Sequence, residues 1–304
     1  MLSLEDALAR VPQWRNKKIS TTALSGGITN KNYRVEVDGE SYVLRLGGAN
    51  TEHLGIDRQV ERDATAAAAT LGIAPEVIYF IEPEGYLVTR FVKGRPLPAP
   101  EITQPQNLKR VVDALKQIHA LPAIPKTFSP FGIVEDYAQT AKAHRVNTFP
   151  SNLDYLLAKM GEVEAVFSKE PFTPKLCHND LLNENFLDDG HLRIIDWEYA
   201  GMGDVFFDLA NFAVNHQLND EQDRLLLTLY FGEAAPKHLA RLKLMKIMSD
   251  FREAMWGMVQ QGISTLDFDF RGYADKHFAR MTGSFEEERY GEWMEVISEQ
   301  YCGN

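Results

Sequence analysis

Apolar and polar residues alternate through much of the first third of the chain. Tyr33-Arg34-Val35-Glu36-Val37 and Tyr42-Val43-Leu44-Arg45-Leu46 step with period two on either side of Asp38-Gly39, after an upstream Thr21-Thr22-Ala23-Leu24. Period two sends successive side chains to opposite faces, so these segments predict antiparallel strands joined by turns. Ile56 to Asp63 then runs into Ala64 to Leu71, a helical stretch stopped by Gly72 and Pro75. Val77 to Ile81 and Tyr86 to Val92 predict two more strands, linked by Glu82-Pro83-Glu84-Gly85. Lys93-Gly94-Arg95-Pro96-Leu97-Pro98-Ala99-Pro100 breaks every regular pattern and marks a boundary. Beyond it, Leu108, Val111, Val112, Leu115 and Ile118 recur at helical steps, and further helices are predicted over Asn152 to Phe167, Asp220 to Phe231, Lys237 to Gln261 and Gly272 to Thr282. The expected class is α+β, an antiparallel-sheet lobe over 1–92 followed by a mostly helical lobe over 93–304. No internal repeat or low-complexity tract interrupts it.

The chemistry concentrates in His178-Asn179-Asp180-Leu181-Leu182-Asn183-Glu184-Asn185, followed by Ile194-Ile195-Asp196-Trp197-Glu198. Asn185-Phe186-Leu187 and Leu192-Arg193-Ile194-Ile195 flank Asp188-Asp189-Gly190, a hairpin signal. With Asp189-Gly190 as a two-residue turn, Asn185 falls opposite Ile194, and Asp196 follows about 7 Å further along its strand. An amide carbonyl and a carboxylate are hard ligands suited to a Mg²⁺ that also binds nucleotide phosphates. Asp180, five residues before Asn185, has the spacing of a kinase catalytic loop, where an aspartate accepts a hydrogen bond from the incoming hydroxyl. His178 is grouped with it as a catalytic candidate. Asp and Asn also make ordinary turns, but the hairpin, the preceding histidine and the second aspartate together favour phosphoryl transfer.

Composition narrows the setting. The 304 residues are 44% hydrophobic and 25% charged, ordinary for a soluble protein with room for two lobes. No apolar run approaches eighteen residues and the amino terminus lacks a signal-peptide pattern, so a cytoplasmic protein without a membrane partner is expected. Two cysteines, Cys177 and Cys302, are too few for a disulfide framework. Cys177 precedes His178, yet its apolar neighbour Leu176 favours a buried strand thiol over a nucleophile. A formal charge of −11 argues against nucleic-acid binding and, as a tie-breaker, for a cationic ligand.

Ser25-Gly26-Gly27-Ile28-Thr29-Asn30 is a candidate phosphate cover, with Ser25, Gly26, Gly27 and Asn30 as its nucleotide contacts. An ordinary hairpin turn is the competing reading. Arg45 on a strand and Glu61 on the next helix match the cation and carboxylate that kinases pair near the nucleotide phosphates. An exposed helix carboxylate, neighboured by Arg58 and Arg62, is the alternative for Glu61. Backbone groups from Thr89, Arg90, Phe91 and Val92 are expected near the adenine. His119 ends the first long helix and is expected to pack or cap, since no metal-binding partner sits at helical spacing from it.

With these residues assembled, the sequence resembles the choline/ethanolamine kinase family, within the aminoglycoside-phosphotransferase-like small-molecule kinases. The resemblance spans most of the chain and rests on Ser25 to Asn30, Tyr42-Val43-Leu44-Arg45, Glu61, His178 to Asn185, Ile195-Asp196-Trp197-Glu198-Tyr199-Ala200, Phe207-Asp208-Leu209-Ala210-Asn211 and Trp256-Gly257-Met258-Val259-Gln260. It implies a two-lobed protein-kinase-like fold, ATP as co-substrate, Asp180 as base, Asn185 and Asp196 as Mg²⁺ ligands, and Arg45 with Glu61 as the nucleotide-phosphate pair. It also implies that Asp208 braces the catalytic loop, a role compatible with capping a helix that begins near Leu209. The implied acceptor is a small cationic alcohol, choline or ethanolamine, bound by Trp256 with Glu198 and Tyr199, while Trp197 is expected in the core. Three positions depart from the eukaryotic pattern: Glu253 replaces a tryptophan, Asn215 an acid and Leu182 a glutamine. Glu253 is therefore read as the anion of a rebuilt cage. A thiamine, aminoglycoside or amino-sugar kinase is the alternative within the same chemistry, and a nucleotide-binding pseudokinase a further one that the intact motifs disfavour. Asp-Phe-Gly and Ala-Pro-Glu landmarks are missing, which sets aside a protein kinase.

Overall fold

The structure is a computed structural model that describes residues 2–24, 30–48, 50–170 and 172–299. It divides into two compact units, residues 1–97 with 183–200, and residues 98–182 with 201–304.

The first unit carries a five-stranded antiparallel sheet of β1 (Ile19–Ala23), β2 (Asn30–Val37), β3 (Glu40–Gly47), β4 (Val77–Ile81) and β5 (Tyr86–Arg90), in the order β1-β2-β3-β5-β4. Asp38 and Gly39 both take left-handed φ, 53° and 85°, and pair Val37 with Glu40 across a two-residue turn. Leu44 and Leu46 point to one face of β3 and bury with Val35, Val37, Ile81 and Val88 against Trp14 beside α1 (Leu4–Ala9). Arg45 alternates to the other face. Helix α2 (Arg58–Thr70) starts at Asp57, whose side chain accepts from the amides of Gln59 and Val60, and stops before Gly72 at φ +68°.

A smaller antiparallel sheet joins β6 (Arg95–Pro96), β8 (Phe186–Asp188) and β9 (Leu192–Ile194), and the Leu97 amide donates to the Phe186 carbonyl. Residues 93–97 and the hairpin thus pack with the strand-rich unit, which extends it past the expected 92/93 boundary. The hairpin register also differs from expectation. Phe186 pairs with Ile194 and Asp188 with Leu192, so the loop is Asp189-Gly190-His191. Gly190 at φ +99° permits it, and the Asp188 and Asp189 carboxylates accept from the amides of Gly190 and His191.

The second unit contains α3 (Ala99–Ile102), α4 (Pro105–Ile118), α5 (Pro130–Ala143), α6 (Leu153–Phe167), α7 (Val205–Asn215), α8 (Asp220–Phe231), α9 (Pro236–Ile263), α10 (Phe270–Phe285) and α11 (Arg289–Ser298). Strand β7 (Lys175–Cys177) pairs antiparallel with β10 (Gly201–Gly203). Helix α9 is buried on most sides and packs against α5, α7, α10 and α11. Close approach to α10 requires Gly257, because a Cβ there would stand 3.0 Å from the Phe270 carbonyl oxygen. Among the described residues no helix is long and apolar enough to cross a membrane.

Candidate active site

Strand β7 delivers a loop whose amides are held by side chains of α7. Asp208 Oδ2 accepts from the His178 amide at 2.9 Å and Oδ1 from the Asn179 amide at 2.7 Å. Asn211 Oδ1 accepts from the Leu181 amide at 2.5 Å, and its Nδ2 donates to Ser249 Oγ on α9. Asn179 takes a left-handed φ of 65° in this turn, a conformation asparagine tolerates better than most side chains. His178 is wholly buried, and its Nδ1 accepts from the Asp180 amide at 3.2 Å. This corrects the grouping of His178 with the reacting residues: it positions Asp180.

His119, at the C-cap of α4, does more than pack. Its Nε2 lies 3.0 Å from Asp208 Oδ2 and its Nδ1 2.7 Å from the Tyr230 hydroxyl. Burial alone would raise the Asp208 pKa, but the hydrogen bond with His119, then the Asn179 amide, outweigh it and hold the carboxyl below its usual value. Asp204, which accepts from the Phe206 amide, caps α7, so Asp208 has no capping role. Ligand-type atoms of His119, Cys177 and Asp208 lie within 4.8 Å of one another. Burial, then Asp208, pushes the Cys177 thiol well up, which keeps it neutral, and the Asp208 oxygens are engaged by donors. His119 and Asp208 form a hydrogen-bonded brace, and Cys177 is the buried strand thiol expected.

Asp180 is 7% exposed, and its Oδ1 accepts from Arg252 Nη1 at 3.0 Å. Arg252, 1% exposed, also pairs with Glu253, whose Oε2 accepts from the Tyr273 hydroxyl at 2.7 Å. Trp256, one turn of α9 further on, meets Tyr273 edge-on at 5.4 Å and Phe270 at 5.8 Å. Burial would raise the Glu253 pKa, yet Arg252, His277 and the Tyr273 hydroxyl hold it low. Asp180, Arg252 and Glu253 together carry one net negative charge beside these rings.

In the first unit, Arg45 pairs with Glu61, which is 2% exposed, and Arg45 Nη1 lies 2.9 Å from Asp196 Oδ1. Arg58 Nη1 contacts Glu61 Oε2 at 2.7 Å and Glu198 Oε2 at 3.0 Å, while Nη2 donates to Asn30 Oδ1. Asn30 Nδ2 closes the cluster on Glu198 at 2.8 Å. Burial would lower the Arg45 pKa, but Asp196, Glu61 and Glu198 raise it, so the guanidinium stays charged. Burial, then the Asp196 charge, pushes Glu198 up to about 7. Glu198 and Asn30 therefore brace Arg58, which departs from the expectation of an acceptor contact at Glu198 and a phosphate contact at Asn30. Tyr199 is buried, and Trp197 sits in the core with its Nε1 donating to Ile194.

At the base of the hairpin the Asn185 main-chain carbonyl accepts from the Ile195 amide at 3.0 Å, which sets the backbone of Asn185 across from the residue before Asp196. Asp196 turns there at φ 67°, and its buried Oδ1, beside Arg45, has no hydrogen-bond partner among the described residues. An amide and a carboxylate at one strand end fit a hard divalent ion. Two of the amides expected near adenine are engaged elsewhere: Arg90 donates to the Glu76 carbonyl and Phe91 to Ser41. The Arg90 side chain pairs with Glu40 and Glu76, and Thr89 lies within the sheet ladder opposite Val43 and Val77. The Val92 amide has no partner among the described residues. Ser25, Gly26 and Gly27 lie outside the described residues.

A model of the choline/ethanolamine kinase family matches residues 21–225, more than half of the chain. The chain belongs to the choline/ethanolamine kinase family. It is 28% identical to human ethanolamine kinase 2 over 302 aligned residues, which cover 86% of this chain and 75% of that one. A choline/ethanolamine kinase family protein from Mesorhizobium loti superposes with a TM-score of 0.82 at 31% identity, covering 96% of this chain and 97% of its own. Choline kinase LicA from Streptococcus pneumoniae shares the fold, with a TM-score of 0.78 at 22% identity over 92% of this chain and 97% of its own. This family member is a phosphotransferase acting on a hydroxyl group, with the two-lobed kinase-like fold expected.

Sequence reasoning passed over Arg58, Arg252, Tyr273 and Phe270 in this kinase. Arg58 carried a signal, standing three residues before Glu61 on one helix face. His216 was also passed over. It caps α7 beside Phe212, and burial lowers its pKa to about 4, partly opposed by the backbone of Leu181. The unfolded chain takes up this proton near pH 6.5 and the folded one only near 4, so stability present above pH 6.5 is lost as pH falls. Between pH 7.5 and 5 the loss should be on the order of 2 kcal/mol. Urea unfolding at both pH values checks it: His216→Gln should show a shallower pH dependence, and an identical slope would refute the assignment.

Proposed function

We propose that this kinase transfers the γ-phosphoryl group of ATP, with Mg²⁺, to the hydroxyl of a small cationic alcohol, choline ahead of ethanolamine. The observation that carries the acceptor class is Glu253 beside Trp256 and Tyr273, in a buried group with one net negative charge. A ring face attracts a cation by roughly 0.5 to 2 kcal/mol, and a single negative charge matches a monocation. Both Glu253 oxygens already accept, from Arg252 and Tyr273. A quaternary ammonium needs charge and ring faces rather than acceptors, whereas a primary ammonium needs hydrogen-bond acceptors too. That favours choline.

Asn185 and Asp196 would hold the Mg²⁺, which when bound offsets charge on the phosphate oxygens. Arg45, fixed by Glu61, supplies a permanent positive charge toward the same phosphates. The acceptor oxygen bonds to the γ-phosphorus as the bond from that phosphorus to the β–γ bridging oxygen breaks, and the hydroxyl proton passes to Asp180. In a loose transition state the nucleophile needs little activation, so Asp180 mainly orients the hydroxyl. Arg252 donates to Asp180 Oδ1 and fixes its orientation. ADP and a phosphate monoester leave.

ADP release measured across choline, ethanolamine, thiamine, an aminoglycoside and an amino sugar tests the reading. Trp256→Ala should raise the KM for choline by more than roughly tenfold, about 1.4 kcal/mol, with a smaller change in kcat. An unchanged KM would discard the cage, and a preference for the bulkier alcohols would move the assignment to the amino-sugar class.

A further inference from the structure

Helices α4, α7, α8 and α9 and the segment before β7 border an open cleft of about 840 Å³ in the second unit, and neither Asp180, Glu253 nor Trp256 lines it. That volume lies within the range of small-molecule sites. Five cationic and three acidic side chains line it, in a chain whose formal charge is −11. Two of the acids are neutralised within the wall: Asp204 pairs with Arg241 at 2.6 Å, and Glu170 with Lys237. Lys169 and Lys175 are exposed and make no ion pair among the described residues. Arg241 is 6% exposed, yet its Nε has no hydrogen-bond partner among the described residues, and His238 Nδ1 is likewise unpartnered. A buried donor without an acceptor is costly, and it adds to the positive character of this wall. The apolar part of the wall is aromatic: Phe206 stacks on Phe231 at 5.0 Å and Phe231 on His238 at 4.2 Å, and all three line the cleft.

We infer that this cleft is a second ligand site, for an organic anion with a flat apolar body, and that its occupant acts on the catalytic loop. The link is short. Tyr230 lines the cleft and contacts His119, which holds the same Asp208 oxygen that accepts from the His178 amide. A ligand that draws the Tyr230 hydroxyl toward itself loosens that brace.

The probe is 1-anilinonaphthalene-8-sulfonate, titrated by fluorescence into the full chain with saturating MgATP and no acceptor, so the binding arm is independent of the acceptor assignment. One equivalent should bind. The Lys169→Ala/Lys175→Ala variant should bind roughly tenfold more weakly, about 1.4 kcal/mol for two exposed charges, at an unchanged melting temperature. N-phenyl-1-naphthylamine, with the same rings and no sulfonate, should also bind at least tenfold more weakly. Turnover of choline with the sulfonate bound should show a lower kcat in the wild type, and no change at the same concentration in the lysine variant. Displacement by ATP, equal affinity of the variant or of the neutral probe, or a kcat indifferent to the bound sulfonate would overturn the inference.

Discussion

Asp180→Asn should lower turnover by roughly 10² to 10⁴-fold, the range for loss of a positioned general base, and leave the affinity for ATP nearly unchanged. The carboxylate is buried, with Oδ1 accepting from Arg252, and the Asp180 amide donates to His178 Nδ1. Asparagine keeps that shape, and its carbonyl can still accept from Arg252. The fold is therefore expected to survive with a melting temperature close to the wild type. Alanine is a harsher test, because it leaves the buried Arg252 guanidinium with Glu253 as its charged partner and adds a stability cost to the catalytic one. Coupled measurement of ADP release with choline, alongside a melt, separates the two effects. If Asp180→Asn turned over within about fivefold of the wild type, transition-state charge would have to be managed without Asp180, and the base assignment would be lost.

Elements whose partners are local were visible in the sequence. The period-two strands, the Asp38-Gly39 turn and Asp220 to Phe231 need only the spacing of apolar residues and the chemistry of one turn or cap. Glu61 was visible because a helix carboxylate after a strand cation has few other uses in a kinase-like lobe. What escaped depends on long-range placement. Hairpin register turned on whether His191 joined the loop, which Asp188 and Asp189 decide by accepting from the amides just ahead of them. Glu198 was read with its sequence neighbour Tyr199, but Arg58 and Asn30, 140 and 168 residues away along the chain, claim its carboxylate. Arg252 and Tyr273 lie 72 and 20 residues from the groups they contact, and no local pattern marks either. The interior of α9 is harder still to read, because its buried charges look like a solvated face until their partners on neighbouring helices are known.

Asp208→Ala should damage both stability and turnover, in a pattern that separates positioning from chemistry. Two backbone amides and His119 Nε2 converge on a carboxylate with no solvent exposure. Removing the acceptor strands buried donors at roughly 1 to 3 kcal/mol each, so a loss on the order of 3 kcal/mol or more in urea unfolding is expected. The amides of His178 and Asn179 would then no longer be held, and the Asp180 carboxylate would sample orientations that do not meet the hydroxyl. Misplacement of about an ångström can cost roughly 100-fold in rate, so kcat should fall by at least that much. The KM for ATP should move little, because the groups Asp208 holds, the His178 and Asn179 amides and His119, are not those assigned to the nucleotide. Asp208→Asn, with one oxygen still able to accept an amide, should recover part of both losses. A merely structural role predicts something else: lower stability, with kcat per folded molecule unchanged in both variants. Wild-type kcat in Asp208→Ala, measured well below its melting temperature, would mean that the loop holds Asp180 without the brace.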